Sequence, residues 1–375
     1  MKLSNNQQAF FALLRAGLWE KEVRLSQYHS IDYVAIMQLA VEQSVVGLVA
    51  AGLEHVSDIK PPKEIILQFV GQTLQLEQRN TAMNAFVSEL IEKLRNKDIY
   101  ALLVKGQGIA QCYERPLWRS SGDIDLLLSD DNYKKASIVL LDMATSVDEE
   151  MKYNQHLAMT IEGWPVELHG NLRSSRWHGI DIVLDRVQDM VFDEGKVRSW
   201  MNGNSQIFLP NVDEDVIFVF SHILQHFFKE GIGLRQICDW CRLLWTYKDS
   251  IDKKLLEQRL TSMGVMTEWK AFAAFVVGYL GMPVEAMPFY SDSRNWSRKA
   301  EKIMAFVLET GNFGHNRDYS YYKKYPFVVF KAISFWRHLK DFGRYFVIFP
   351  WDAMKVTWRR MCVGFSVALK GGTHE

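Results

Sequence analysis

The pair Asp123-Ile124-Asp125, embedded in the run Gly122-Asp-Ile-Asp-Leu-Leu-Leu128, constrains this chain more than any other stretch. A strand alternates its side chains between faces, so carboxylates at i and i+2 point the same way. Two neighbouring carboxylates repel unless a cation stands between them. A hard divalent ion such as Mg²⁺ (or Mn²⁺), which prefers oxygen ligands, is the usual remedy.

Two other apolar runs carry groups of matching chemistry. Leu102-Leu-Val-Lys-Gly-Gln-Gly-Ile-Ala110 reads as a strand, a glycine turn and the start of a helix. Backbone N–H groups at such a turn bind phosphate, and here they belong to Gly106-Gln107-Gly108. Lys105 precedes the turn and either reaches a phosphate or is a surface lysine at the strand end. Trp164-Pro-Val-Glu-Leu-His-Gly170 supplies Glu167 as a third carboxylate, with His169 two residues on and so on the same face. His169 is either an active-site group or a structural hydrogen-bonder. Arg119 contacts phosphate or pairs with Asp130 or Asp131. In-line displacement at phosphorus favours two metals about 4 Å apart held by shared acids, and this set of residues offers the parts.

Around these runs the hydrophobic period changes twice. Residues 1–98 read as a helical region, with helices at Asn6–Leu18, Ile31–Gln43, Val45–His55 and about 63–96. We expect it to pack on the motif sheet. Residues 99–210 read as β-α-β-α-β-β, with a helix after Ser129-Asp130-Asp131 and a hairpin at Glu162-Gly163-Trp164-Pro165. Residues 211–310 turn helical again and complete the cleft, carrying His222 and His226 at i, i+4 and, on the next helix, Arg235 and Asp239 at the same spacing. A structural or cleft-lining polar network is the commoner outcome for these four, ahead of nucleotide contact and of metal. Residues 311–375 form a loop and a basic, aromatic-rich helical segment. The expected class is α+β: a small mixed sheet flanked by N- and C-terminal helical regions.

Composition excludes more than it assigns. Formal net charge is zero over 375 residues, so no global field advertises a nucleic-acid or membrane partner. Charge is uneven, however. Residues 323–370 hold ten Lys and Arg against Asp341 and Asp352, together with Trp336, Trp351 and Trp358. That segment could stack on nucleic acid, lie on an anionic membrane surface, make a protein contact, or cap the fold with its aromatics inward. The cap is the plainest of these readings. Four cysteines are too few for a disulfide framework, and Cys238-Asp-Trp-Cys241 falls in a helical pattern that suits core thiols. No signal-peptide hydrophobic region and no apolar run near 20 residues is visible, so the expectation is a cytoplasmic protein.

The residues resemble a family. The order of glycine turn, helix, Asp-x-Asp strand and lone carboxylate on a later strand is similar to the nucleotidyltransferase fold of the DNA polymerase β-type superfamily. More closely, Leu-Val-Lys-Gly-x-Gly-x-Ala, Arg-x-x-x-Asp-Ile-Asp-Leu-Leu and Val-Glu-Leu-His resemble an uncharacterised bacterial nucleotidyltransferase family within it. His222, His226, Gly233-Leu-Arg-Gln and Asp239 also resemble that branch's helical half. The resemblance spans about residues 30–300, with its firm motifs at 102–170 and 222–239. It implies that Gly106 and Gly108 cradle the triphosphate of ATP or another NTP, and that Asp123 and Asp125 bind both metals. Glu167 would complete the catalytic metal's shell and could take the proton of an attacking hydroxyl. The implied product is a nucleotidylated acceptor (protein, RNA end, sugar phosphate or small metabolite) plus pyrophosphate. The alternative is a catalytically inactive protein of the same fold that binds nucleotide or a partner.

Overall fold

A seven-stranded mixed sheet, in the order β3-β4-β5-β2-β1-β7-β6, carries the acidic residues. The computed structural model describes residues 3–173, 178–229, 231–312, 327–355 and 357. Three helices open the chain: α1 (Asn5–Trp19), α2 (Tyr33–Glu42) and α3 (Val46–Glu54). Ser4 and Gln7 form a capping box at the start of α1, and Asp32 caps α2 through the amides of Val34 and Ala35. The long helix α4 (Lys63–Arg95) leads into β1 (Leu102–Val104) and the short α5 (Gly106–Ala110). Next come β2 (Ile124–Leu127), α6 (Asp130–Leu141), β3 (Ala144–Val147), β4 (His156–Ile161) and β5 (Trp164–His169). Helix α7 (His178–Phe192) precedes the hairpin of β6 (Val197–Asn202) and β7 (Ser205–Pro210). The remaining helices are α8 (Val212–Lys229), α9 (Leu234–Thr246), α10 (Lys253–Met263), α11 (Met266–Leu280), α12 (Arg294–Thr310) and α13 (Phe327–Ile348).

Register decides what meets at the site. β2 runs parallel to β5 with Asp125 beside Glu167, and antiparallel to β1 with Asp125 opposite Val104. The β4–β5 turn contains only Glu162 and Gly163, both at positive φ, as a tight two-residue hairpin requires. Trp164 and Pro165, expected in that turn, belong to β5 instead. α6 starts at Asp130, earlier than the sequence suggests. Ser129 takes the N-cap position, but its hydroxyl accepts from Asn132 Nδ2 rather than capping an amide. β3 and β6 were not expected. Both lie at sheet edges and expose much of their length, which blurs the alternation that marks a half-buried strand.

Two apolar clusters divide the interior. One face of the sheet packs on the C-terminal half of α4, through Phe86, Leu90, Ile91 and Leu94, and on α6. α1–α3 do not pack on that face with α4. They share one core with α8–α12, and Arg15 and Trp19 of α1 donate to the carbonyls of Tyr279 and Leu280 at the end of α11. α1 and α3 approach so closely that a Cβ on Gly17 would lie 1.9 Å from the Leu48 carbonyl oxygen. Buried Gln43 accepts from the Leu234 amide and donates to the Val307 carbonyl, pinning the end of α2 to α9 and α12. Arg242 of α9 donates to the carbonyls of Leu18 and Cys112, and so ties α1 and the end of α5 to the same helix.

The C-terminal segment behaves partly as a cap. Tyr345, Ile348 and Phe349 are buried, and Phe349 stands 5.9 Å from the rings of both Phe227 and Phe228. Trp336 and Trp351 instead face outward, 68% and 73% exposed. Most of the loop expected at 311–322, with Trp358 and Cys362, lies outside the described residues. Cys238 and Cys241 are buried core thiols, as is Cys112. Among the described residues, no helix is long and apolar enough to cross a membrane.

Candidate active site

The site begins with a strained turn. β1 delivers the chain to Lys105 at φ +56°, the residue before α5, and to Gly106 at φ +38°, its first residue. Left-handed backbone at a lysine is uncommon and persists only where the surroundings hold it. Here the lysine side chain is held over the sheet, where Lys105 Nζ donates to Asp125 Oδ1 at 2.7 Å. It is therefore a buried partner of the acids and not a surface lysine. Burial opposes its charge, but Asp125, Glu167 and Asp123 outweigh that and raise its pKa above the ordinary value.

Asp125 is 1% exposed, and the same Oδ1 atom also lies 2.8 Å from His169 Nε2. Burial disfavours its ionisation, yet Lys105 and the contact from His169 hold it well below the usual carboxylate range. Asp123, at the entrance to β2, goes the other way. The Asp125 charge, burial and Glu167 push its carboxyl up to about 6. Carboxylate oxygens of Asp123, Asp125 and Glu167 all lie within 4.8 Å of one another. Such a set, oxygen-only and partly repulsive, fits a hard divalent cation.

An open cleft with an internal volume of about 230 Å³ covers these acids. Lys105, Gly106 and the three carboxylates form one wall, and His222, His226, Arg235 and Asp239 of α8 and α9 line the other. The two histidine rings stand 4.4 Å apart, and burial drives the His222 pKa well below its ordinary value. Burial lowers His169 as well, favouring its neutral form.

Not every residue of the glycine turn faces the cleft. Gln107 points to α4, donating to Asn84 Oδ1 at 2.6 Å. Gly108 faces β7, where a Cβ would come within 2.7 Å of Leu209 Cδ2. Gly106 alone of the three borders the cleft. Arg119 also differs from expectation. It pairs with neither Asp130 nor Asp131 but grips Asp239 through two hydrogen bonds of 2.7 Å. The Tyr113 hydroxyl donates to the same carboxylate, and Arg235 Nη1 donates to the Ser120 carbonyl. These contacts fasten the loop before β2 to α9 and leave two guanidinium groups lining the cleft.

The model of a family described as uncharacterised nucleotidyltransferase matches residues 29–279. The chain belongs to this family. The match takes in both the acidic sheet and the α8–α9 wall, and so every residue that lines the cleft. No curated protein and no solved structure matches the chain.

One residue of the site escaped the sequence reading. His156 Nε2 lies 3.0 Å from Glu167 Oε2, and its ring is 4.8 Å from that of His169. The signal was present: a two-residue turn at 162–163 pairs Ile161 with Trp164, and counting back along both strands sets His156 opposite His169.

Proposed function

We propose that this chain transfers a nucleotidyl group from an NTP to an acceptor hydroxyl in a Mg²⁺-dependent reaction, releasing pyrophosphate. The observation that carries this reading is the convergence of Asp123, Asp125 and Glu167 beneath a cleft whose one further carboxylate, Asp239, is held by Arg119. The metal would be held by these three carboxylates, and when bound it supplies Lewis-acid polarisation of phosphoryl oxygens.

The chain's own residues do the rest. Lys105 and Arg235 place cationic groups in the cleft for the triphosphate, in a recessed setting where charge interactions are stronger than in water, while Arg119 neutralises Asp239. Gly106 lets the backbone approach the phosphates closely. The acceptor oxygen attacks the α-phosphorus, the bond to the bridging oxygen of pyrophosphate breaks, and the hydroxyl proton passes to Glu167 or to solvent. Glu167 is suited to this role because its side chain is 27% exposed while His156 holds its orientation. Lys105 stays on Asp125 and offsets part of the negative charge of the acids.

The test is a thermal-shift titration with ATP, GTP, CTP and UTP, each with and without Mg²⁺, followed by a pyrophosphate-release assay with candidate acceptors. Asp125→Ala runs alongside. Ligand at a hundredfold over its dissociation constant stabilises a fold by about 2.7 kcal/mol. The reading expects a Mg²⁺-dependent shift that disappears in Asp125→Ala. A shift with no pyrophosphate from any acceptor would favour a non-catalytic nucleotide-binding protein, and no shift with any NTP would sink both nucleotide readings and leave the partner-binding one.

A further inference from the structure

The β4–β5 hairpin carries a second donor set, which shares Glu167 with the three carboxylates. Its register puts His156 directly opposite His169, while Glu167 shares a strand face with His169. His156 Nε2 and His169 Nε2 both converge on Glu167 Oε2, at 3.0 and 3.6 Å. All three ligand atoms lie within 4.8 Å of one another. Metal–nitrogen and metal–oxygen bonds of about 2.0–2.1 Å set adjacent donors roughly 3.0 Å apart in an octahedron and roughly 3.4 Å apart in a tetrahedron. The two histidine–glutamate separations, 3.0 and 3.6 Å, fall close to those values, and the third lies within 4.8 Å. Their side chains are 17%, 14% and 27% exposed, recessed but open to an entering ion.

The donor chemistry differs from that of the neighbouring acids. Asp123, Asp125 and Glu167 offer oxygen only, whereas two imidazoles with one carboxylate suit Zn²⁺, Mn²⁺, Fe²⁺ or Co²⁺ better than Mg²⁺. We propose that His156, His169 and Glu167 form a transition-metal site beside the all-oxygen site, with Glu167 shared between them. Coordination exchanges the contact of His169 Nε2 with Asp125 Oδ1 for a metal bond, and Lys105 remains on that oxygen. The site stands on donor geometry. Only its closeness to a bound nucleotide rests on the function proposed above.

The experiment is a Co²⁺ titration of the full chain without nucleotide, read by visible absorption and by calorimetry. Wild type is expected to bind one equivalent with bands of nitrogen coordination. Loss of an outer-shell partner weakens metal sites by about 10–100-fold, so loss of the ligand in His156→Ala is expected to weaken Co²⁺ binding at least that much. His156→Gln, which keeps a polar side chain beside Glu167, serves as the second variant and gives the same loss. Asp123→Asn keeps the Co²⁺ bands and loses the Mg²⁺-dependent NTP shift. Equal Co²⁺ affinity in wild type and both His156 variants would overturn the site, as would loss of the bands in Asp123→Asn. Co²⁺ binding without pyrophosphate release would leave this site standing and the transferase reading fallen. Pyrophosphate release with His156-independent Co²⁺ binding would do the reverse.

Discussion

Replacing Arg119 by Met tests whether the far wall of the cleft is held by a buried ion pair. Arg119 and Asp239 are 6% and 5% exposed in their side chains, and the guanidinium makes two bonds of 2.7 Å to the carboxylate. Removing one member of a buried pair leaves an uncompensated charge and costs about 3–5 kcal/mol. With a urea dependence of about 3 kcal/mol per molar, the unfolding midpoint is expected to fall by about 1–1.7 M. Asp239→Leu strands the arginine instead and costs a similar amount. The double variant Arg119→Met/Asp239→Leu removes both charges of the pair; Arg235, beside it, loses a favourable and an unfavourable neighbour together. What remains is the Tyr113 hydroxyl without its acceptor, a cost of about 1–3 kcal/mol. Urea unfolding of all four proteins at pH 7, followed by tryptophan fluorescence and circular dichroism, closes the cycle. The double variant should be more stable than either single one. Additive losses would refute the reasoning, because they would mean that neither charge depends on the other.

Three further outcomes follow from features described above. Gly17→Ala forces a Cβ toward the Leu48 carbonyl and is expected to cost about 3 kcal/mol, whereas Gly71→Ala, with nothing within 4 Å, should stabilise α4 by about 0.5–1 kcal/mol; paired urea curves check both. Burial pushes the Cys112 thiol up to about 11, so its contribution to stability is full below the unfolded value near 8.5 and is lost as pH rises toward 11, by about 3 kcal/mol. Cys112→Ala should flatten the decline of stability between pH 8.5 and 11, and an unchanged slope would contradict the assignment. Phe227→Ala removes a ring that meets Phe272, Phe306, Tyr345 and Phe349, and is expected to cost about 3–5 kcal/mol and to increase hydrogen exchange at the C-terminal end of α13.

The acids of the cleft were legible because their signal is local. Alternation along a strand puts Asp123 and Asp125 on one side, and a glycine turn after an apolar run marks the start of α5. The i, i+4 spacing likewise set His222 with His226 and Arg235 with Asp239, and all four line the cleft. Partners distant in sequence were not legible. Arg119 finds Asp239 from 120 residues away, and nothing near Asp130 or Asp131 announces that choice. The inward and outward faces of the glycine turn were also hidden, since Gln107 and Gly108 are set by what α4 and β7 place against them. Edge strand β3 is mostly exposed, and β6 sets Arg198 and Asn202 beside Trp200 on its half-buried face, so neither shows an apolar period. His156 is the opposite case: its position follows from turn length and addition alone.

The way Gln43 and Arg242 tie α2 and α1 to α9 bears on how the protein can be cut. Their hydrogen bonds run from the first helices to the wall that faces the carboxylates, passing over the sheet in sequence but not in space. The strands that carry Asp123, Asp125 and Glu167 therefore cannot be excised as a working minimal fragment. Residues 99–210 alone would keep the acids and lose the roof. A split protein, with its early helices supplied as a separate polypeptide, would instead reassemble around α9, and its two pieces would need each other before either could offer a closed cleft to a nucleotide.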